Sequence, residues 1–502
     1  MGSVAKESFR NARLRTPGNA NGAPENSQSW GRFGLWLAAI TALAAVLRVI
    51  GLNTGLWWDE IYFLIVSVRH PLSQILTVFP SDNQHPLYTV LAWLSIHVLG
   101  EHVWSLRLPA LIFGVASIPM LYLVGASVAS RTEALLAAAF LAVSYHHVWF
   151  SQDARGYSTL AFWALASTYF LLQGIRTGRR GPWIAYAVAA ALGIYTHVTM
   201  VFLVASHVLI CAAMMFSDWR SGSGTARWRF PILAFLLAGG LTLLFYAPIL
   251  AQVQNFFLHR PSPMKAVSTP RWAIWETVRV LILGLGGKLV ILLGAGLVVA
   301  CGAWSYLRQS RFVFALFALP VAITAVGAFL GRGTMYPRFY FFLIGFAVLI
   351  LIRGIVVIPR WIAGSRKGLE SGLTATLATI LLAASAYSLI ANYRYPKQDY
   401  EGAIRFVETA KKNEVVLTAG AATYPLRQYY AKPWDSVETP EKLKTICKGD
   451  QPVWVVYTMP RYLEAAAPGV MEMIRKEFTV IRVFHGTLGD GDVYVGQYNR
   501  PA

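Results

Sequence analysis

Apolar runs of about 16 to 22 residues recur along this chain from about Phe33 to about Ala391 and then stop. A run of that length carries an α-helix across a hydrocarbon core of about 30 Å, where the helix satisfies its own backbone because no water is at hand. Spans are expected near 33–52, 108–129, 134–151, 158–174, 183–197, 198–215, 231–250, 277–303, 312–330, 339–358 and 371–391, about eleven in all. With 56% hydrophobic and only 14% charged residues in 502, against about a quarter charged in an ordinary soluble chain, a soluble fold is excluded.

The formal net charge is +20, and 30 of the 44 basic residues but only 11 of the 24 acidic ones precede Lys397. The basic residues gather in alternate short loops: Arg131; Arg176, Arg179 and Arg180; Arg220, Arg227 and Arg229; Arg308 and Arg311; Arg360, Arg366 and Lys367. With the N-terminus in the cytoplasm all of these face inward, as the positive-inside rule requires. The basic excess is therefore a topology signal and gives no reason to expect nucleic acid.

An odd number of spans then places the C-terminus outside. From Lys397 onward the chain is nearly neutral, with 14 basic and 13 acidic residues. Residues 413–418 and 453–457 read as short buried strands, and 399–411 and 461–477 as helices, which predicts a small α/β domain. Three units are expected: a disordered cytoplasmic tail over 1–30, a membrane domain over 31–396 and an extracytoplasmic domain over 397–502. The three cysteines, Cys211, Cys301 and Cys447, suggest no disulfide framework.

Between Leu56 and Leu106 the apolar part, Pro86 to Val98, is too short and too polar for a span. It predicts juxtamembrane helices at the outer interface, where Trp57, Trp58, Trp93 and Trp104 are well placed.

Polar residues on that outer face carry the candidate chemistry. Asp59 and Glu60 directly follow the first span in Gly-Leu-Trp-Trp-Asp-Glu, close to apolar surface that can raise a carboxyl pKa toward that of a general base. Ser151-Gln152-Asp153-Ala154-Arg155-Gly156-Tyr157 lies where the third span emerges on the same face. Asp153 and Arg155 could equally be a structural ion pair in partial burial. Gln84-His85-Pro86-Leu87-Tyr88 offers an imidazole at a helix start, either a phosphate donor group or merely interfacial. Arg338, in Tyr336-Pro337-Arg338-Phe339-Tyr340, can grip a phosphate with its planar fork or reach for lipid headgroups. His146, His147 and His197 also sit near outer span ends but match no metal-ligand spacing, so no metal is expected. No phosphate-binding Gly-Lys-Ser/Thr loop or dinucleotide fingerprint occurs either.

Trp57-Trp58-Asp59-Glu60, Gln84-His85-Pro86-Leu87-Tyr88, Arg107-Leu108-Pro109-Ala110-Leu111, Ser151 to Tyr157 and Tyr336 to Tyr340, in this order, resemble the motifs of GT-C glycosyltransferases. The likeness is to the bacterial branch similar to protein O-mannosyltransferases (family 39) and the lipid A aminoarabinose transferase, and it covers most of the chain. It implies a mainly α polytopic bundle with outer juxtamembrane helices and the C-terminal α/β domain, in a bacterial inner membrane with a periplasmic site.

It also implies a polyprenyl-monophosphate sugar donor and an envelope glycan, lipid or protein acceptor. Asp59 would be the base, Glu60 its neighbour and Asp153 the second acidic member, with His85, Arg155, Tyr157 and Arg338 at the donor phosphate. Where aminoarabinose transferases carry Lys-Pro, this chain has His85-Pro86. Direct displacement with inversion is the implied course. No cofactor is expected, although a divalent cation could serve the carboxylates. The rival reading is a transporter or flippase of a lipid-linked sugar, because intramembrane charges equally mark a substrate pathway. Against it, the polar residues gather at one face and no inverted repeat is evident.

Overall fold

The computed structural model describes residues 27–81, 84–222, 226–259, 270–284, 289–330 and 337–500. Most of the expected N-terminal tail, Asp82 and Tyr336 lie outside the described residues.

The described residues of every expected span lie almost entirely on helix. The first helix, α1 (Ser27–Val49), leads through a turn into a short α2 (Trp58–Phe63), which widens into one π-helical turn over Leu64–Val68. A short α3 (Leu72–Thr77) and α4 (Pro86–Leu99) follow. The last of these is the interfacial helix expected over 86–98, begun by a proline whose missing N–H costs nothing in a first turn.

The bundle continues with α5 (Val103–Val128), α6 (Arg131–Val143), α7 (Tyr145–Ser151), α8 (Tyr157–Thr177), α9 (Arg180–Thr196), α10 (Met200–Arg220) and α11 (Arg229–Tyr246). After a shorter α12 (Leu250–Leu258) come α13 (Pro270–Gly284), α14 (Leu289–Gln309), α15 (Arg311–Leu330), a 3₁₀ segment Pro337–Leu343 leading into α16 (Ile344–Ala363), and α17 (Lys367–Arg394). Among the described residues seven helices are long and apolar enough to cross a membrane, or eight if α6 and α7, bent by 59°, count as one broken span. Multi-pass membrane architecture follows. The remaining expected spans correspond to α9, to α13 with α14, and to α15.

Beyond α17 the chain forms α18 (Tyr400–Ala410), β1 (Val415–Gly420), β2 (Asp435–Val437), α19 (Pro440–Cys447), β3 (Val453–Thr458), α20 (Pro460–Ala466), α21 (Pro468–Glu477), β4 (Phe478–Phe484) and β5 (Val493–Tyr498). The sheet order is β2-β1-β3-β5-β4, with β2, β1 and β3 mutually parallel and β5 antiparallel to both its neighbours, β3 and β4. The helix expected over 461–477 is two, because Pro468 begins a new one.

Side chains alternate across this sheet. Leu417, Val455 and Tyr457 face a core with Leu443, Leu463 and Ile474. Val416, Val456 and Val495 face the other way, onto α18 and into one apolar cluster with Leu56, Ile61 and Phe63, Tyr88 and Ala92, and Leu106 of the membrane part. The sheet layer is thus seated on the juxtamembrane helices through a shared core.

Candidate active site

Several helix ends meet beneath the sheet: the α1–α2 turn, the start of α4, the start of α5, the α7–α8 turn, the 3₁₀ segment before α16 and the exit of α17. Each brings a polar side chain that the bundle could not bury mid-membrane without a partner.

Glu60, in the first turn of α2, is the most enclosed. Its Oε1 accepts from Arg107 Nε at 2.7 Å and from the Ala154 amide at 2.7 Å. Its Oε2 accepts from Arg107 Nη2 at 2.6 Å and from the Trp57 amide at 3.3 Å. Both side chains of the pair are 0% exposed. The same guanidinium donates to the carbonyls of Leu52, Thr54 and Gly55. Burial pushes the Glu60 carboxyl up, but Arg107 outweighs it and holds the group below the usual carboxylate range. With its oxygens taken up, Glu60 fastens the α1–α2 turn to α5 and to the α7–α8 turn.

Asp59 differs. Its Oδ2 accepts from Arg338 Nη1 at 3.0 Å, and Arg338 keeps 31% of its side chain exposed. Asp153, fully buried in the α7–α8 turn, accepts at Oδ1 from Trp57 Nε1 at 2.8 Å, while its Oδ2 has no hydrogen-bond partner among the described residues. Burial, reinforced by the Glu60 charge, pushes the Asp153 carboxyl up to about 7. Asp153 and Arg155 do not form the side-chain ion pair expected as one possibility: the Arg155 amide bonds the Asp153 carbonyl, and its guanidinium Nη2 lies 3.0 Å from His85 Nε2.

Because arginine can only donate, His85 Nε2 is the acceptor and its proton sits on Nδ1, which is buried without a partner among the described residues. Burial and then the charge of Arg155 lower the His85 pKa well below 6.5, so the ring is a neutral N–H donor and not a cation. Tyr157 and His197 pack against it at ring-centroid distances of 5.0 and 4.8 Å. Gly156 makes room: a Cβ there would stand 2.7 Å from His85 Nδ1.

The residues expected at the site, Asp59, Glu60, His85, Asp153, Arg155, Tyr157 and Arg338, therefore lie in one connected neighbourhood. His147 does not join it as a ligand; its Nδ1 lies 2.7 Å from Nη2 of Arg48, a buried arginine of α1. Among the described residues no three His, Cys, Asp or Glu side chains are grouped to hold a metal ion.

Sequence reasoning did not assign roles to Arg107, Arg48, Lys397 or Gln398. Arg48 had a readable signal, a lone charge inside an apolar run. Lys397 and Gln398 had none, since they stand at the end of the last span with nothing nearby in sequence to mark them.

A polytopic helical bundle with a bent helix pair and a small α/β layer over acidic and basic residues at one end is a fold this chain shares with solved membrane glycosyltransferases. Residues 83–251 match the family described as dolichyl-phosphate-mannose-protein mannosyltransferase. The fold is similar to ArnT from Cupriavidus metallidurans in its apo state, with TM-score 0.51 and 13% identity over 94% of this chain and 98% of that one. It is also similar to the archaeal oligosaccharyltransferase AglB from Archaeoglobus fulgidus, in complex with an inhibitory peptide and a dolichol-phosphate, with TM-score 0.50 and 11% identity over 92% of this chain and 74% of that one. No curated protein matches the sequence.

Proposed function

We propose that this chain is a membrane glycosyltransferase that moves a hexose or pentose from a polyprenyl-monophosphate donor to an extracytoplasmic acceptor, whether envelope glycan, lipid or protein. The observation that carries the reading is the convergence of Asp59, Asp153, Arg155, Arg338 and His85 from separate elements at one end of the bundle. Displacing a phosphate from an anomeric carbon needs a base for the acceptor hydroxyl and donors for the departing oxygens, and this cluster holds both. The matched mannosyltransferase family, spanning His85, Asp153, Arg155 and Tyr157, supports it.

In the proposed course the acceptor oxygen bonds to the anomeric carbon as the carbon–oxygen bond to phosphate breaks. The bonding pair leaves with the polyprenyl phosphate, and the hydroxyl proton passes to Asp59. Arg338, exposed enough to face a ligand while holding Asp59, is positioned to span base and phosphate. Arg155 and the Nδ1–H of His85 supply the other donors, with Tyr157 packed behind them. Glu60 is a positioning residue, because its oxygens already serve Arg107 and the two amides. The polyprenyl tail would lie between helices, which accounts for a site at the membrane boundary.

The test is transfer from a set of polyprenyl-phosphate sugars by purified protein, comparing the natural chain with Asp59→Asn and Asp153→Asn. Loss of about a hundredfold or more in Asp59→Asn at unchanged thermal stability is expected. Full activity in that variant removes Asp59 as base, and absence of transfer together with lipid translocation in vesicles would favour a flippase.

A further inference from the structure

We propose that Lys397 and Gln398 are positioning residues, a two-residue clasp through which the C-terminal sheet sets the placement of both carboxylates; this rests on the glycosyltransferase reading for its meaning in catalysis, though not for its geometry. The two adjacent side chains part in opposite directions. Lys397 Nζ donates to the carbonyl of Gln152 at 2.8 Å and of Trp149 at 3.3 Å, closing the end of α7 immediately before Asp153. The ammonium also lies 4.3 Å from the Trp149 ring centroid. That ring packs 6.2 Å from Trp57, whose indole N–H holds Asp153. Gln398 Oε1 accepts from the Trp58 amide at 2.8 Å, one residue before Asp59.

The clasp is anchored in the sheet. Gln398 Nε2 donates to Thr458 Oγ1 at 3.1 Å, at the end of β3, and that hydroxyl donates to the Asp492 carbonyl beside β5. The loop before β5 returns to the clasp: the amides of Thr487 and Leu488 bond the carbonyls of Pro396 and Lys397, and Thr487 Oγ1 accepts from Trp149 Nε1 at 3.0 Å.

Lys397 and Gln398 are 5% and 1% exposed. A buried ammonium held by carbonyls, with no carboxylate bonded to it among the described residues, is costly to place and is explained by what it fixes. Here it fixes a helix C-terminal end, where the dipole favours a cation. Among the described residues neither side chain hydrogen-bonds the proposed phosphate donors His85, Arg155 or Arg338, so the clasp should govern how the acids stand and leave donor binding nearly alone.

The full-length protein in detergent tests this by hydrogen–deuterium exchange and by steady-state transfer, using Gln398→Ala, Lys397→Met, Lys397→Arg and Gln398→Glu. Expected are faster exchange over residues 57–64 in Gln398→Ala and over 150–157 in Lys397→Met, with exchange in the β3 and β5 strands unchanged. The kcat should fall by about ten- to a hundredfold while the donor KM moves by less than about threefold, as loss of an orienting contact predicts. Lys397→Arg should restore part of kcat. Gln398→Glu, which keeps an acceptor for the Trp58 amide but removes the donor to Thr458 Oγ1, should also speed exchange over 57–64, because the anchor in the sheet is lost. Unchanged exchange in both segments, or a loss confined to donor KM, overturns the clasp. If the natural chain transfers no sugar the enzymatic reading fails, and the exchange measurements still decide the clasp by themselves. If Lys397→Met does not fold, Gln398→Ala and Gln398→Glu decide it.

Discussion

Glu60 and Asp153 are both buried carboxyls, bridged through Ala154 and Trp57, yet their surroundings drive them in opposite directions. For Glu60, Arg107 outweighs burial, and an uncharged amide in its place would leave that guanidinium enclosed without a counter-charge. Glu60→Gln should therefore cost about 3–5 kcal/mol, the range for breaking one side of a buried pair, read as a lower denaturation midpoint in detergent. An unchanged midpoint would mean that the pair does not hold the turn. Asp153 lacks such a partner, and its folded pKa stands at about 7 against an ordinary 3.8. Between those values the folded state binds the proton more tightly, so its contribution to stability is full below about pH 4 and is lost as pH rises through about 7. Asp153→Asn should flatten that part of the stability–pH curve, and a variant curve parallel to that of the natural chain would refute the assignment. The sequence marked both acids by their place beside apolar surface. It could not separate their roles, because the difference lies in Arg107, which is 47 residues from Glu60 and reaches it only when α5 packs against the turn.

At the scale of elements, the bend between α6 and α7 decides where Asp153 and Arg155 emerge. No proline or glycine stands at the break, where Ser144 turns extended at φ −67° and ψ 121°. A break in a membrane helix frees carbonyls that must find donors. Arg48 supplies them, donating to Ala142 at 3.0 Å and Leu141 at 3.3 Å while also reaching Ser151 Oγ at 3.2 Å on the far side of the bend. Arg48→Met should destabilise the protein by about 1–3 kcal/mol for each carbonyl stranded. It should also speed exchange across 141–151, whereas a variant matching the natural chain in both would assign the bend to packing alone. Apolar run lengths disclosed the long helices of the bundle, because span length is set by the bilayer. The bend was not legible, since the arginine that satisfies its freed carbonyls stands about a hundred residues away. Likewise β1 and β3 could be read as continuous apolar runs, while β4, with Thr479 and Val480 exposed, carries no such run and emerges only from its pairing with β5.

For the whole molecule, the contacts sort the polar residues into two ends. Asp59 with Arg338, His85 with Arg155, and Lys397 with the Gln152 carbonyl lie at the end that carries the sheet. Arg353 with Glu133, and Arg360 with Glu370, lie where α6 and α17 begin, at the other end of the bundle. The basic loops belong to this second end, so charge alone predicts that it faces the cytoplasm and that the sheet and the site face out. A membrane-impermeant thiol reagent, measured against the natural cysteines, separates the alternatives. Lys412→Cys, exposed before β1, should be labelled in intact cells or sealed right-side-out vesicles, and Thr177→Cys, exposed at the end of α8, only after permeabilisation. The reverse pattern would put the carboxylates in the cytoplasm and remove the extracytoplasmic acceptor from the proposal. Labelling of both without permeabilisation would mean that the bundle adopts two orientations, which so uneven a distribution of arginine argues against.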